Sequence, residues 1–131
     1  MAVLGTGIDI VEIGRLEQVM ARRGHRFADR VFTEAERAYC ESRPRPAMHY
    51  AGRFAVKEAV LKAIRTGWVK GIRWTDIEVT LGPSGAPSVH LTGGALARAT
   101  KIGVTSFHIS ISHTETNAVA CAIAEGEKGN P

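Results

Sequence analysis

The chain has 131 residues, 44% of them apolar and 23% charged, with a formal net charge of +4. That is enough for one domain with its own core, and too apolar for intrinsic disorder. No apolar run approaches the ~18 residues of a membrane span, and the opening MAVLGTGIDIVEI lacks the basic start of a secretory signal, so a soluble cytoplasmic protein is expected. Cys40 and Cys121 stand far apart without CxxC or Cys/His spacing, which reads as two reduced structural thiols. Residues 1–65 carry 12 basic and 8 acidic side chains, whereas 66–131 carry 5 of each. The whole positive excess therefore lies in the first half and suits either an acidic partner or phosphates there, or a generic solvated surface.

Residues 3–11 read as a strand, with Leu4, Ile8 and Ile10 on one face and Gly5, Gly7, Asp9 and Val11 on the other. Residues 12–23 suit a helix ending near Gly24. Thr33-Glu34-Ala35-Glu36 has capping-box spacing and opens a short helix through Cys40, stopped by Pro44 and Pro46. A longer helix is expected over 47–65, broken by Thr66-Gly67. In the second half, Asp76–Leu81 alternates as a strand, Pro83-Ser84-Gly85 turns the chain, and Ser88–Leu91 returns it. A small helix follows Gly93-Gly94 through about Thr100. Ser106–His113 alternates with Phe107, Ile109 and Ile111 inward, and Asn117–Ala124 forms its partner after a loop at Thr114–Thr116. Two hairpins and several helices without βαβ rhythm indicate an α+β domain over 1–125, built on an antiparallel sheet. Residues 126–131 read as a flexible tail.

The informative positions are those that the fold alone does not explain. The stretch AGRFAVKEAVLKAIR (51–65) is apolar nearly all round and should be buried. At about 100° per residue, Arg53 and Lys57 share one side, while Glu58, Lys62 and Arg65 share another. Burying an unpaired charge costs several kcal/mol, so these side chains need partners, and a plain Glu58–Lys62 helix pair is the simplest. Asp9 interrupts an apolar strand, where it is an exposed residue, a helix cap or a carboxylate for a hard cation. Asp9 and Glu58 together, with substrate phosphate and water, would suit Mg²⁺, which typically takes only one or two protein carboxylates. Ser110, Ser112, His113 and Thr114 gather at a strand end without a nucleophile elbow, which favours hydrogen bonds to a phosphate, or plain polar edge residues, over Ser/His catalysis. His25, His49, His90 and His108 lack ligand spacing and read as structural. Arg15, Arg22 and Arg26 would fall within roughly 40° of one another if the first helix continued past Gly24. With Arg23 and Arg30 they make either a plain solvated face or a docking surface for an acidic partner protein.

Five blocks together carry a family resemblance: GIDIVEIGRL (7–16), RFADRVFTEAE (26–36), AGRFAVKEAVLKA (51–63), DIEV…GAP (76–87) and SISHTETNAVACAIA (110–124). They resemble holo-[acyl-carrier-protein] synthase, the small single-repeat class of 4′-phosphopantetheinyl transferase, in the family's order across most of the chain. The resemblance implies transfer of 4′-phosphopantetheine from coenzyme A to a serine of apo-acyl carrier protein, releasing adenosine 3′,5′-bisphosphate in support of fatty acid biosynthesis. It implies Mg²⁺ held by Asp9 and Glu58, and Lys62 beside the leaving phosphate. Arg53, Lys57, Gly85, Pro87, Ser112 and His113 would contact coenzyme A, and His113 would reach a neighbouring subunit's site. A homotrimer with active sites at subunit interfaces follows from the same resemblance, as does docking of the carrier on Arg15, Arg22, Arg23 and Arg26. The base that takes the serine proton is Glu58, Asp9 or a water. One departure stands out: Arg65 occupies a place where the family pattern has a small, flexible residue. The alternative on the same fold is a non-catalytic coenzyme A-binding regulator, against which the intact Asp9, Glu58 and Lys62 argue. An RNA-binding module fits the charge alone, since the chain has no RNP, KH or OB pattern and only 6% aromatics. Neither nucleic acid nor membrane is expected as a partner.

Overall fold

A computed structural model describes residues 1–67 and 71–128. Strand β1 (Ala2–Glu12) leads into helices α1 (Ile13–Arg23), α2 (His25–Val31) and α3 (Glu34–Glu41), then the long α4 (Pro46–Ala63). A 3₁₀ turn (Trp74–Asp76) precedes the hairpin β2 (Ile77–Leu81) and β3 (Pro87–Leu91), helix α5 (Gly93–Lys101), and the hairpin β4 (Val104–His113) and β5 (Asn117–Gly126). The strands make an antiparallel three-stranded sheet in the order β1-β5-β4 and a separate two-stranded sheet β2-β3. This is the expected α+β architecture.

Small residues bring α4 down onto the larger sheet. Register places Gly5, Gly7, Asp9 and Val11 of β1 opposite Ala124, Ala122, Ala120 and Ala118 of β5, all on the face toward the helix. Those four alanines are buried, as are Ala55, Ala59 and Ala63 of α4. The approach is closest at the glycines: a Cβ on Gly5 would lie 1.9 Å from the Ala63 carbonyl oxygen, and one on Gly7 1.9 Å from that of Ala59. Around this contact Val56, Val60, Ile64, Ile77 and Val79 fill the core, each buried aliphatic side chain worth about 1.5–3 kcal/mol.

The opposite face of the sheet is uncovered. There Thr6, Ile8 and Ile10 adjoin Ile123, Cys121 and Val119 of β5, which in turn adjoin His108, Ser110 and Ser112 of β4. Ile8 and Ile10 keep 63% and 65% of their surface exposed.

Local chemistry fixes the helix ends. Pro46 sits at the start of α4, where its missing N–H costs nothing. Thr33 caps α3 as expected: its hydroxyl accepts from Glu36 N at 3.2 Å, and Glu36 Oε1 accepts from Thr33 N at 2.8 Å. Gly24, at φ 62, ends α1 and turns the chain, so Arg26 belongs to α2 rather than to a continued first helix. That second helix escaped the periodicity because seven residues hold too few turns to display one. Helix α4 stops at Ala63, two residues early, since Arg65 adopts a left-handed φ of 58. Asp76 falls in the 3₁₀ turn, not in β2, and its Oδ2 accepts from Arg73 N and Gly94 N. At the other end β5 runs through Gly126, which pairs with Ala2 and Val104, so the strand takes the first residue expected in the tail. Residues 129–131 of that tail lie outside the described residues.

Candidate active site

Asp9 points inward at the end of β1 beyond the two glycines, so the helix that Gly5 and Gly7 admit also brings α4 side chains to its carboxylate. Lys62 Nζ donates to the Ile8 carbonyl at 2.8 Å and to Asp9 Oδ1 at 3.2 Å. Asp9 is largely sheltered, and the Lys62 side chain is half exposed. An ion pair this open contributes about 0.2–1 kcal/mol to stability, so its value lies in placing a cation beside a carboxylate. Asp9 and Glu58 line one cleft of about 480 Å³, which opens between β1, α1 and α4. Arg15 and Glu12 complete its polar rim, and Leu16, Val19, Phe27 and Phe54 form an apolar wall. Phe54 stacks between Phe27, at 6.3 Å, and Trp74, at 4.9 Å, which stiffens that wall. In the sequence Phe54 is one apolar position among many in the 51–65 stretch, and Phe27 lies in the helix that the periodicity does not reveal.

A second group lies on the other side of α4. Arg53 is 4% exposed, with its guanidinium 4.3 Å above the Tyr39 ring and Nη1 donating to the His49 carbonyl at 3.4 Å. Its buried Nε has no hydrogen-bond partner among the described residues. His49, expected to be merely structural, packs edge-on against Tyr39. Burial, followed by the nearby charges of Arg53, Arg43 and His113, holds its pKa below the usual histidine range. Arg43 and Arg53 thus gather with His49 around the Tyr39 ring, and His113, at the end of β4, lies near enough to act on His49. About 140° of helix separates Arg53 from Glu58, so the cluster and the carboxylate cleft cannot merge within one copy.

Lys57 is a correction. Expected against coenzyme A phosphates, it is fully buried and bonded to Glu36 at 2.9 Å. Its ammonium also donates to the carbonyls of Trp74, at 3.1 Å, and Ile77. Glu36 Oε2 accepts from Val79 N at 2.8 Å, so the pair ties α3, α4 and β2 together. Burial pulls the Lys57 pKa down, and Glu36 opposes that pull. A group with no surface and three partners already in place has nothing left for a ligand.

The remaining expected residues are spread over the surface. Gly85, at φ 85, closes the β2–β3 turn with its N–H on the Gly82 carbonyl, and Pro87 begins β3. Ser112 is exposed on the open sheet face. Arg22 and Arg23 project from the last turn of α1 and Arg26 from the first turn of α2, all exposed.

The donor set can be tested against a divalent cation. Among the described residues no group of three or more His, Cys, Asp or Glu side chains converges, which excludes a complete protein cage. Two carboxylates in one open cleft fit Mg²⁺, which keeps waters and takes substrate phosphates as further ligands.

Residues 5–124 match the 4′-phosphopantetheinyl transferase superfamily, and the chain belongs to that family of transferases. Within it the chain is similar to proteins named holo-[acyl-carrier-protein] synthase. That of Koribacter versatilis is 46% identical over 123 residues, covering 94% of this chain and 98% of the relative. That of Syntrophus aciditrophicus is 46% identical over 126 residues, covering 96% and 98%. The crystal structure of the Neisseria meningitidis synthase superposes with a TM-score of 0.86 at 29% identity, covering 95% of this chain and 99% of that one. The Helicobacter pylori synthase, solved in complex with coenzyme A, gives 0.80 at 31% identity, covering 92% and 99%. The resemblance carried by the five sequence blocks is borne out.

Proposed function

We propose that this transferase moves 4′-phosphopantetheine from coenzyme A to a serine hydroxyl of apo-acyl carrier protein, leaving adenosine 3′,5′-bisphosphate. The observation that supports the reading is that Asp9 and Glu58 line one cleft while Lys62, 53 positions from Asp9 in the chain, bonds to that carboxylate. The bond that breaks joins the β-phosphorus to the bridging oxygen of the diphosphate, and the bond that forms joins that phosphorus to the serine oxygen. Asp9 and Glu58 would hold Mg²⁺, which supplies Lewis-acid charge neutralisation on the diphosphate. Lys62, fixed by Ile8 and Asp9, places a positive charge where the leaving phosphate accumulates negative charge. The serine proton passes to Glu58, Asp9 or a water in the cleft.

The orphaned Nε of Arg53, with His49, Arg43 and His113 around it, suits a phosphate monoester such as the 3′-phosphate of coenzyme A. This cluster and the carboxylate cleft lie on opposite sides of α4, so a complete site requires two copies. The apolar sheet face with Ile8 and Ile10 offers the surface for that association, and we assign it to a homotrimer with sites between subunits. Arg15 on the cleft rim, with Arg22 and Arg23 from the end of α1 and Arg26 from the start of α2, would receive an acidic carrier protein. Ser112, Gly85 and Pro87 would line the coenzyme A groove. A role in fatty acid biosynthesis in the cytoplasm follows from such a carrier.

The test is the intact mass of an apo-acyl carrier protein after incubation with this protein, coenzyme A and Mg²⁺. A gain of one phosphopantetheine, lost with EDTA and in Glu58→Gln, is the expected result. Coenzyme A binding without transfer to a competent carrier would instead favour a non-catalytic regulator.

A further inference from the structure

We propose that a second, basic cavity at the C-terminal ends of α4 and α5 binds a compact polyphosphate anion. It measures about 540 Å³ and is lined by Arg65, Arg98, Lys101 and Lys128, with Ala2, Val3, Leu4 and Ile102 as the apolar wall. No carboxylate is among the lining residues. Among the described residues none of the four cations forms an ion pair. The cavity shares no lining residue with the carboxylate cleft: about 20 Å of β1 separates Val3 from Asp9, and Arg65 lies three residues past Lys62.

Two of the four charges have a local explanation, and two do not. Arg98 donates from Nε to the Ile64 carbonyl at 3.0 Å and from Nη2 to the Arg65 carbonyl at 3.2 Å, so it caps the end of α4. Lys101 ends α5, where a cation meets the negative end of the helix dipole. Arg65 is different. It lies beyond the last turn of α4 and is the one non-glycine among the described residues with positive φ. Glycine occupies that conformation freely, and an L-residue does so at a cost. Lys128 arrives from a third segment, past the end of β5. Separate segments therefore bring like charges to one concavity, including an arginine held in an unfavourable backbone conformation. Such an arrangement is repulsive when empty and is relieved by an anion.

The donor types define the ligand. Planar guanidinium groups match pairs of phosphate oxygens, and lysines add mobile point charges. Four cations against an apolar wall exceed what a single carboxylate neutralises and suit a di- or triphosphate group.

The probe is inorganic triphosphate, titrated calorimetrically into the whole protein in EDTA. Because the cleft and the Arg53 cluster also attract phosphates, variants at each place are compared. Arg65→Ala/Lys101→Ala should weaken triphosphate binding by roughly tenfold or more while leaving phosphopantetheine transfer unchanged. Arg53→Gln should leave that binding class intact. Arg65→Gly relieves the backbone conformation, so it should raise Tm while still weakening triphosphate, and it stands in should the double variant misfold. Equal affinity in the wild type and in both Arg65 variants overturns the proposal, as does loss of binding only in Arg53→Gln. Transferase activity is read separately, so failure here leaves the proposed reaction standing.

Discussion

Adding a single methyl group at Gly7 should damage both stability and activity through one displacement. The Cβ would lie 1.9 Å from the Ala59 carbonyl oxygen, 2.8 Å from its carbon and 2.9 Å from the Lys62 Cβ. Non-bonded carbon and oxygen need about 3 Å or more, so β1 and α4 must separate by about 1 Å against backbone that cannot rotate aside. Overpacking of this kind costs about 1–3 kcal/mol, which for a domain of this size lowers Tm by roughly 5–10 °C. The same separation moves Asp9, two residues along β1, away from Lys62 and Glu58. A misplacement of about 1 Å in reacting groups can cost on the order of 100-fold in rate. Gly7→Ala should therefore lose most of kcat in the carrier mass assay even at a temperature where it remains folded. Gly14→Ala in α1 is the control: no neighbouring atom lies within 4 Å of the added Cβ, and a helix gains up to about 1 kcal/mol from the change. A Gly7→Ala protein with wild-type Tm and kcat, or a Gly14→Ala protein equally impaired, would refute the account of how the helix reaches the sheet.

Other substitutions probe the interior and the surface. Lys57→Met should destabilise by about 3–5 kcal/mol in denaturant melts, because it strands the Glu36 carboxylate, and Lys57→Met/Glu36→Leu should recover much of that loss. Burial pushes the Cys40 thiol from 9.0 up to about 12. Both states are protonated below pH 9, but above it only the unfolded thiol ionises, so Cys40 stabilisation falls by up to about 1.4 kcal/mol per pH unit toward pH 12. Comparing wild type with Cys40→Ala isolates that slope from those of Tyr50 and Lys57, and a pH-independent difference would contradict it. Reversing charge at Arg22, Arg23 and Arg26 should raise KM for an acidic carrier several-fold and lessen its salt dependence, with kcat little changed; an unchanged KM would remove those residues from the docking surface.

Residues that violated their local pattern were the legible ones. Asp9 in an apolar strand and Glu58 and Lys62 on an apolar helix stand out from their neighbours; Asp9 and Glu58 do line one cleft, and Lys62 bonds to Asp9. The capping box and both hairpins were likewise visible, since their signals span only a few adjacent positions. What stayed hidden depends on distant partners. Glu36 signals a helix start, yet its second oxygen crosses to Val79 and its charge to Lys57, 21 positions along the chain. Nothing local marks Lys57 as paired with Glu36 rather than with a ligand. His49 was equally unreadable, because its character comes from burial and then from Arg53, Arg43 and His113, which only the packed fold assembles.

The glycines of β1 also act as a key for strand register. A slip of one residue against β5 would exchange the two faces of β1, turning Thr6 and Ile8 toward α4 and Asp9 toward solvent. Hydrophobicity alone would reward that error, since it would bury isoleucines that the native register leaves 63% and 65% exposed. The Ala59 and Ala63 carbonyls forbid it: they leave no room for even a methyl group, far less an isoleucine. Chain entry into the sheet is thus decided by where side chains are missing. The same gap that seats the helix keeps a carboxylate inside and leaves the isoleucines outside, on the uncovered face of the sheet.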